Sequence, residues 1–193
     1  MNILSMYVTM LPTILGGITN MIFTKTGFYR RHRRPLDGGF CLKDGRRLFG
    51  DSKTVIGFCS MAVFTMLWQV LWGLICAGAG WNEINDLYRN LPNTVLVNLL
   101  NGMMFGIAYM LFELPNSLIK RRLDISAGQP GGSVKKIIFF MVDQFDSMFG
   151  VIGWLLVVAG LRTGEFFGYL LLGGLTHVAV NALLILLRIR KHL

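Results

Sequence analysis

Five stretches of this chain, at roughly 3–23, 55–79, 94–114, 137–160 and 166–187, are long, apolar and almost free of charge. A helix needs about 20 residues to cross the hydrocarbon core of a bilayer. Backbone groups in lipid must pair within their own segment, and these runs are too long for barrel strands, so they read as helices. The expected fold is all-α: a polytopic integral membrane protein of five transmembrane helices, forming one membrane domain over residues 1–193. Composition agrees, with 53% hydrophobic and 15% charged residues, where a soluble domain carries about 25% charged. A disordered chain is excluded. Pro12 and the internal glycines are tolerated in membrane helices. Gly102-x-x-x-Gly106 and Gly164-x-x-x-Gly168 allow close helix approach. Internal packing is their expected use, and a homodimer seam is the alternative.

The net charge is +9, and its placement sets the topology. Nine Lys and Arg fall in 25–54, five in 116–136, and Arg188, Arg190 and Lys191 at the C-terminal end. Arg89 and Arg162 alone lie in the alternate loops. The positive-inside rule then places loops 25–54 and 116–136 in the cytoplasm, the N-terminus outside and the C-terminus inside. The first run lacks a basic flank and a cleavage site, so it reads as a retained span rather than a signal peptide. Nucleic acid is a poor partner, because the basic residues are divided among short loops without an aromatic stacking module. Cys41, Cys59 and Cys76 form no C-x-x-C pair, giving neither a disulfide framework nor a zinc site. His32, His177 and His192 form no ligand cluster. His177 and Asn181, four apart, suit a polar contact between helices. Trp68, Trp72, Trp81 and Trp154 suit packing or interface anchoring.

The first cytoplasmic loop holds more than orientation signals. Asp37-Gly38-Gly39, Asp44-Gly45-Arg46-Arg47 and Gly50-Asp51-Ser52-Lys53-Thr54 alternate acids, glycines and cations. Asp-Gly pairs favour turns with positive φ. Glycines let backbone N–H groups approach a phosphate, and Lys or Arg neutralise it. A Walker A loop is rejected, because Asp51 and Ser52 separate Gly50 from Lys53 and no strand precedes. A polyphosphate-binding loop of another kind and an ordinary surface loop both stay open.

Carboxylates are costly in a span, about 2.5–3.5 kcal/mol at a helix centre, yet this chain carries three near the same depth. Glu113 closes the third run. Asp143 and Asp146 lie one to two turns into the fourth and share a face at i, i+3. Glu113, Ser117 and Lys120 share another face at i, i+4, i+7, provided that the helix continues past Pro115. Three carboxylates at one depth suit a hard divalent cation such as Mg²⁺. The alternative pairs each acid with a loop Lys or Arg. Beside Lys120, Arg121 and Arg122, the set favours a metal and phosphate site.

The pattern Pro35-x-Asp37-x-Gly39, then Asp44-Gly45-Arg46-Arg47-Leu48-x-Gly50-Asp51-x-Lys53-Thr54-x-x-Gly57, resembles the CDP-archaeol synthase family, a five-span branch of the CTP:lipid-phosphate cytidylyltransferases. Glu113-Leu114-x-x-Ser117-x-x-Lys120-Arg121-Arg122-Leu123 followed by Asp143-x-x-Asp146 is similar to parts of the wider CDP-diacylglycerol synthase signature. Glu113 stands where that family usually has Asp. Its His-Gly-Gly is missing before Asp143, Gly131 and Gly132 lying too far upstream, and Val55-Ile56 replaces an aromatic residue. The resemblance implies transfer of CMP from CTP to a glycerol-lipid phosphate, digeranylgeranylglyceryl phosphate, on the cytoplasmic face of the cell membrane. It implies Mg²⁺ held by Glu113, Asp143 and Asp146. Lys53, Lys120, Arg121, Asp143 and Asp146 would be catalytic. Arg46, Arg47, Lys53, Lys120 and Arg121 would contact phosphates, with Ser117 beside them. Asp37, Asp44, Gly45, Gly50, Asp51 and Thr54 would shape the substrate loop. The nearest alternative is the same chemistry on phosphatidic acid. A lipid or ion transporter would also place acids in spans, but no internal repeat is visible.

Overall fold

The computed structural model describes residues 2–125 and 133–187, with backbone only for 133–138. Gly131, Gly132, Arg188, Arg190, Lys191 and His192 lie outside the described residues, as do the side chains of Lys135 and Lys136. Five long helices are apolar enough to cross a membrane: α1 (Ile3–Phe23), α3 (Val55–Ala79), α4 (Val95–Arg122), α5 (Ser133–Ala159) and α6 (Thr163–Leu186). Two short elements were not foreseen in the connections: α2 (Gly27–His32) and a 3₁₀ turn at Asp86–Arg89. Among the described residues there is no strand, and the first loop holds two isolated bridges, Pro35 to Thr54 and Cys41 to Arg47.

The apolar runs become helices with side-chain caps at their starts. Asn2, Thr26, Thr54 and Thr94 each accept a hydrogen bond from the first turn of the helix that follows, satisfying an otherwise orphaned donor. Gly80 ends α3 in the left-handed region at φ 70°, a conformation open to glycine at little cost. The third span departs from expectation at its end: α4 runs unbroken through Pro115 to Arg122. This prolongs the face bearing Glu113, Ser117 and Lys120 beyond the apolar run.

Packing sorts residues as lipid demands rather than as water does. Leu71, Leu74, Leu96, Leu100, Leu171 and Leu175 are exposed, while Thr65, Gln69, Asn98, Asn101 and Ser147 are buried between helices. Without a hydrophobic drive in lipid, helices associate through close backbone approach and polar contacts. Trp68 donates to Thr19 at 2.9 Å and Trp154 to Asn101 at 3.0 Å. His177 Nε2 lies 3.4 Å from Tyr109 Oη, and Asn181 donates to Gln144 at 3.2 Å. Gly102 and Gly106 sit directly on α3, where added Cβ atoms would meet Met66 Cα at 2.7 Å and Ala62 Cα at 2.5 Å. That pair serves internal packing, as expected, whereas Gly164 faces open space.

α4 lies between α3 and α5, with α1 against α3 and α6 against α5. Successive crossings reverse direction, so the start of α3, the end of α4 and the start of α5 meet at one end of the bundle. The opposite end is fastened separately. Arg89 bonds both Glu165 oxygens at 2.9 and 3.0 Å and Asp86 at 2.9 Å. Tyr169 donates to Asp86 at 2.6 Å.

Gly150 sets the α4–α5 distance. A Cβ there would meet the Ala108 carbonyl oxygen at 2.4 Å, while Gly153 has nothing within 4 Å. Gly150→Ala is expected to lower the melting temperature in detergent, at a cost of about 1–3 kcal/mol from forced overpacking. Gly153→Ala should leave it unchanged or slightly raised. Equal melting temperatures for the two variants would refute this account.

Candidate active site

The first loop is built around Asp37. Its side chain is fully buried and accepts hydrogen bonds from Arg47 Nη2 at 2.6 Å, Gly39 N at 3.1 Å, and Phe49 N and Gly50 N at 3.0 Å each. Burial opposes ionisation, but the Arg47 guanidinium and these backbone donors outweigh it and hold the carboxyl far below the usual carboxylate range. Gly38 and Gly45 take φ of 57° and 75°, as the Asp-Gly turns required, and Gly50, before Asp51, takes 85°. A Cβ on Gly50 would also press on Arg121 Nε at 3.2 Å.

This folded loop is pinned to the end of α4. Arg122 pairs with Asp44 and donates to the carbonyls of Arg46 and Arg47. Arg46 pairs with Asp124 at 2.6 Å, and Arg121 Nε reaches the Phe49 carbonyl at 3.3 Å. Arg47 pairs with Asp51 at 3.0 Å as well as with Asp37. Hydrogen bonds from Arg122 and the Arg46 backbone lower the Asp44 pKa.

Pinning the loop brings Lys53 against α4, where it pairs with Glu113. The two side chains are 18% and 19% exposed. Burial works to lower the Lys53 pKa, but the charges of Glu113, Asp146 and Asp143 outweigh it and raise the value above the ordinary lysine range. Lys53 therefore stays cationic. Two turns further along α4, Lys120 pairs with Asp143, reaching Oδ2 at 2.6 Å. Asn116 lies between: its amide nitrogen bonds Asp143 Oδ1 at 2.5 Å and Asp146 Oδ2 at 2.7 Å. The Asn116 oxygen is buried and has no hydrogen-bond partner among the described residues. Sequence reasoning passed over Asn116, although it shares a face with Glu113 (i, i+3) and Lys120 (i, i+4) once α4 is known to continue.

The array is thus Glu113, Asp143 and Asp146 interleaved with Lys53, Lys120 and Asn116. As the side chains stand, no three His, Cys, Asp or Glu among the described residues form a shell for a metal ion; Lys53 and Lys120 pair with two of the three carboxylates. Ser117 Oγ donates to the Glu113 carbonyl at 3.0 Å and turns back along its own helix. Thr54 Oγ1 caps α3 and contacts Tyr29 Oη at 2.8 Å. Beside this array lies a chamber of about 250 Å³, lined by Asn20, Tyr29, Ser52, Lys53, Thr54 and Glu113. It is polar on the loop side and apolar toward Met61 and Met110. Such a chamber can take a phosphate at Lys53 with an apolar group beside it.

Comparison with known proteins places the chain. The CarS-like CDP-archaeol synthase family model matches residues 2–191. The CDP-archaeol synthase of Pyrococcus furiosus is 28% identical over 173 residues, covering 89% of this chain and 81% of that protein. That of Pyrobaculum islandicum is 28% identical, covering 82% and 81%. That of Thermococcus onnurineus is 27% identical, covering 77% and 75%. A solved structure, described as an intramembrane enzyme for archaeal membrane lipids biosynthesis, superposes with a TM-score of 0.65 over 94% of this chain and 95% of that one, at 24% identity. It shares this five-helix fold. The chain belongs to the CDP-archaeol synthase family and is a membrane-embedded cytidylyltransferase.

Proposed function

We propose that the protein transfers CMP from CTP to digeranylgeranylglyceryl phosphate, releasing pyrophosphate and forming CDP-archaeol, at a site on the cytoplasmic face. The observation that carries this reading is the meeting of the first loop with the carboxylate–lysine array of α4 and α5. Residues separated by up to 93 positions, Lys53 to Asp146, are charge-coupled there.

The chemistry needs no activated side-chain nucleophile. A phosphate monoester has its second pKa near about 6, so the lipid phosphate is already mostly dianionic at neutral pH. One of its oxygens attacks the α-phosphorus of CTP in line, and pyrophosphate leaves. The barrier lies in bringing two polyanions together, which positioning and cationic neutralisation address. Lys53 supplies a cation at the chamber wall, and Lys120 supplies one beside Asp143 in the adjoining array. Arg46, Arg47, Arg121 and Arg122, with Gly45 and Gly50, hold the loop that presents Lys53; Asp37 and Asp51 fix Arg47, and Asp44 fixes Arg122. The donor set is of the kind a hard cation takes: three carboxylates, two of them, Asp143 and Asp146, held by the Asn116 amide nitrogen, whose own oxygen is buried without a hydrogen-bond partner among the described residues. Mg²⁺ held by these residues would supply Lewis-acid neutralisation of phosphate charge.

Asn116→Leu is expected to lower turnover about 10- to 100-fold, the range for losing a residue that orients ligating carboxylates. A parallel drop in Mg²⁺ affinity, read as a raised half-saturating concentration, should accompany it. Unchanged Mg²⁺ dependence would remove Asn116 from that role. The function is tested by pyrophosphate release from purified protein with CTP and Mg²⁺, offering digeranylgeranylglyceryl phosphate and phosphatidic acid in parallel. Release with the ether lipid, lost on chelation and restored by Mg²⁺, is the expected result. Preference for phosphatidic acid would reassign the acceptor, and silence with both in folded protein would refute the reading.

A further inference from the structure

Apart from the exposed Lys43, the cations of the first loop fall into two groups. Arg46, Arg47 and Lys53 all have carboxylate partners. Lys25, Arg30, Arg31, Arg33 and Arg34 are exposed and form no salt bridge among the described residues; Arg30 reaches the Lys25 carbonyl at 3.2 Å. These five charges gather within eleven residues of the end of α1, mostly on and just after α2. Apolar groups accompany them: Ile22 is 48% and Phe28 60% exposed. Exposed aromatic and aliphatic groups among Lys and Arg, at the end of a span, match the chemistry of an interfacial segment.

The inner side of α2 leads to the catalytic chamber. Tyr29 is buried, its hydroxyl is 2.8 Å from Thr54 Oγ1, and its ring packs edge-on against Phe23 at 5.9 Å. Tyr29, Lys53 and Thr54 line the same chamber. The Arg34 carbonyl accepts from Val55 N at 3.0 Å, and the Lys53 carbonyl accepts from Leu36 N at 2.7 Å. The seating of α2 therefore bears directly on the wall that carries Lys53.

We propose that Lys25, Arg30, Arg31, Arg33 and Arg34 dock onto the phosphate headgroups of anionic phospholipids in the surrounding leaflet, and that this contact seats α2 and raises the activity of the chamber behind it. Charge complementarity argues for this occupant. Unpaired cations near a bilayer surface are drawn to its negative potential, within about one Debye length, ~10 Å at 0.1 M salt. Only the activity readout rests on the function proposed above.

The test compares wild type with R30Q/R31Q/R33Q/R34Q, reconstituted in neutral phosphatidylcholine vesicles and in vesicles containing phosphatidylglycerol, at equal content of lipid-phosphate substrate. Wild type should turn over about fivefold faster in anionic vesicles at low salt, and the ratio between vesicle types should fall toward one at high KCl. The glutamine variant should match wild type in neutral vesicles and gain nothing from phosphatidylglycerol. The lysine variant R30K/R31K/R33K/R34K should recover the gain. Native mass spectrometry should show fewer phosphatidylglycerol molecules retained by the glutamine variant, a result independent of catalysis. An equal gain and equal retention in the glutamine variant would overturn the proposal. So would a wild-type ratio indifferent to salt, which remains decisive should the glutamine variant fail to insert. Inactivity of wild type in every vesicle, with phosphatidylglycerol still retained through these arginines, would refute the assigned reaction and leave the docking surface standing.

Discussion

Lys53→Ala lowers CMP transfer by about 10²–10³-fold, the scale for removing one preorganised charge that stabilises a transition state, while the chain still inserts and folds. Lys53 is the cation that the first loop delivers to the array, paired with Glu113 and coupled to Asp146 and Asp143. Without it, Glu113 faces two aspartates with no counter-charge from the loop. Breaking a fully buried pair costs about 3–5 kcal/mol. Here both side chains keep some exposure, so the stability loss should fall below that range. The kinetic split separates two roles. If Lys53 meets substrate phosphate, the KM for CTP or lipid phosphate rises along with the fall in turnover. If it only neutralises Glu113, turnover falls with KM for both substrates unchanged. Steady-state kinetics on purified protein read this directly, and normal turnover by Lys53→Ala would remove the residue from the mechanism.

Asp37→Ala unfastens the first loop. The change leaves the Arg47 fork and the backbone donors of Gly39, Phe49 and Gly50 without their acceptor. Stranded buried donors cost about 1–3 kcal/mol each, though not additively. A loss of at least about 3 kcal/mol in local stability corresponds to about 100-fold faster amide exchange across 37–53. Hydrogen–deuterium exchange of the Phe49 and Gly50 amides measures it, and unchanged protection would refute the role. Activity should fall with loop order, because Lys53 loses its support. The pH dependence follows from the same contacts. The folded carboxyl titrates below its unfolded value of about 3.9. Its contribution is therefore full above that value and disappears as pH falls through the lower folded value. In wild type, protection of these amides should hold at pH 5 and fail only under strongly acidic conditions.

The five spans were legible because a bilayer demands long apolar helices, and that demand is written residue by residue. The Asp-Gly turns were legible for a similar reason: positive φ at Gly38 and Gly45 is a local requirement. The side-chain types gathered around the site were legible too, since carboxylates and lysines near the ends of spans need a purpose. Their pairing was not. Lys53 meets Glu113 across 60 residues, and Arg122 meets Asp44 across 78. Any of several cations in the same loops would have served those acids equally well by composition. Asn116 escaped notice because an amide carries no charge signal, and its role appears once α4 continues through Pro115 and faces α5. Likewise Asp37 reads as a turn residue, and burial alone shows that it is the acceptor around which the loop folds. Local sequence specifies helix, turn and charge because these depend on near neighbours along the chain. Which lysine answers which carboxylate depends on how α3, α4 and α5 approach one another, and that is set by contacts such as Gly106 on Ala62 and Gly150 on Ala108, which exist only when the helices have packed.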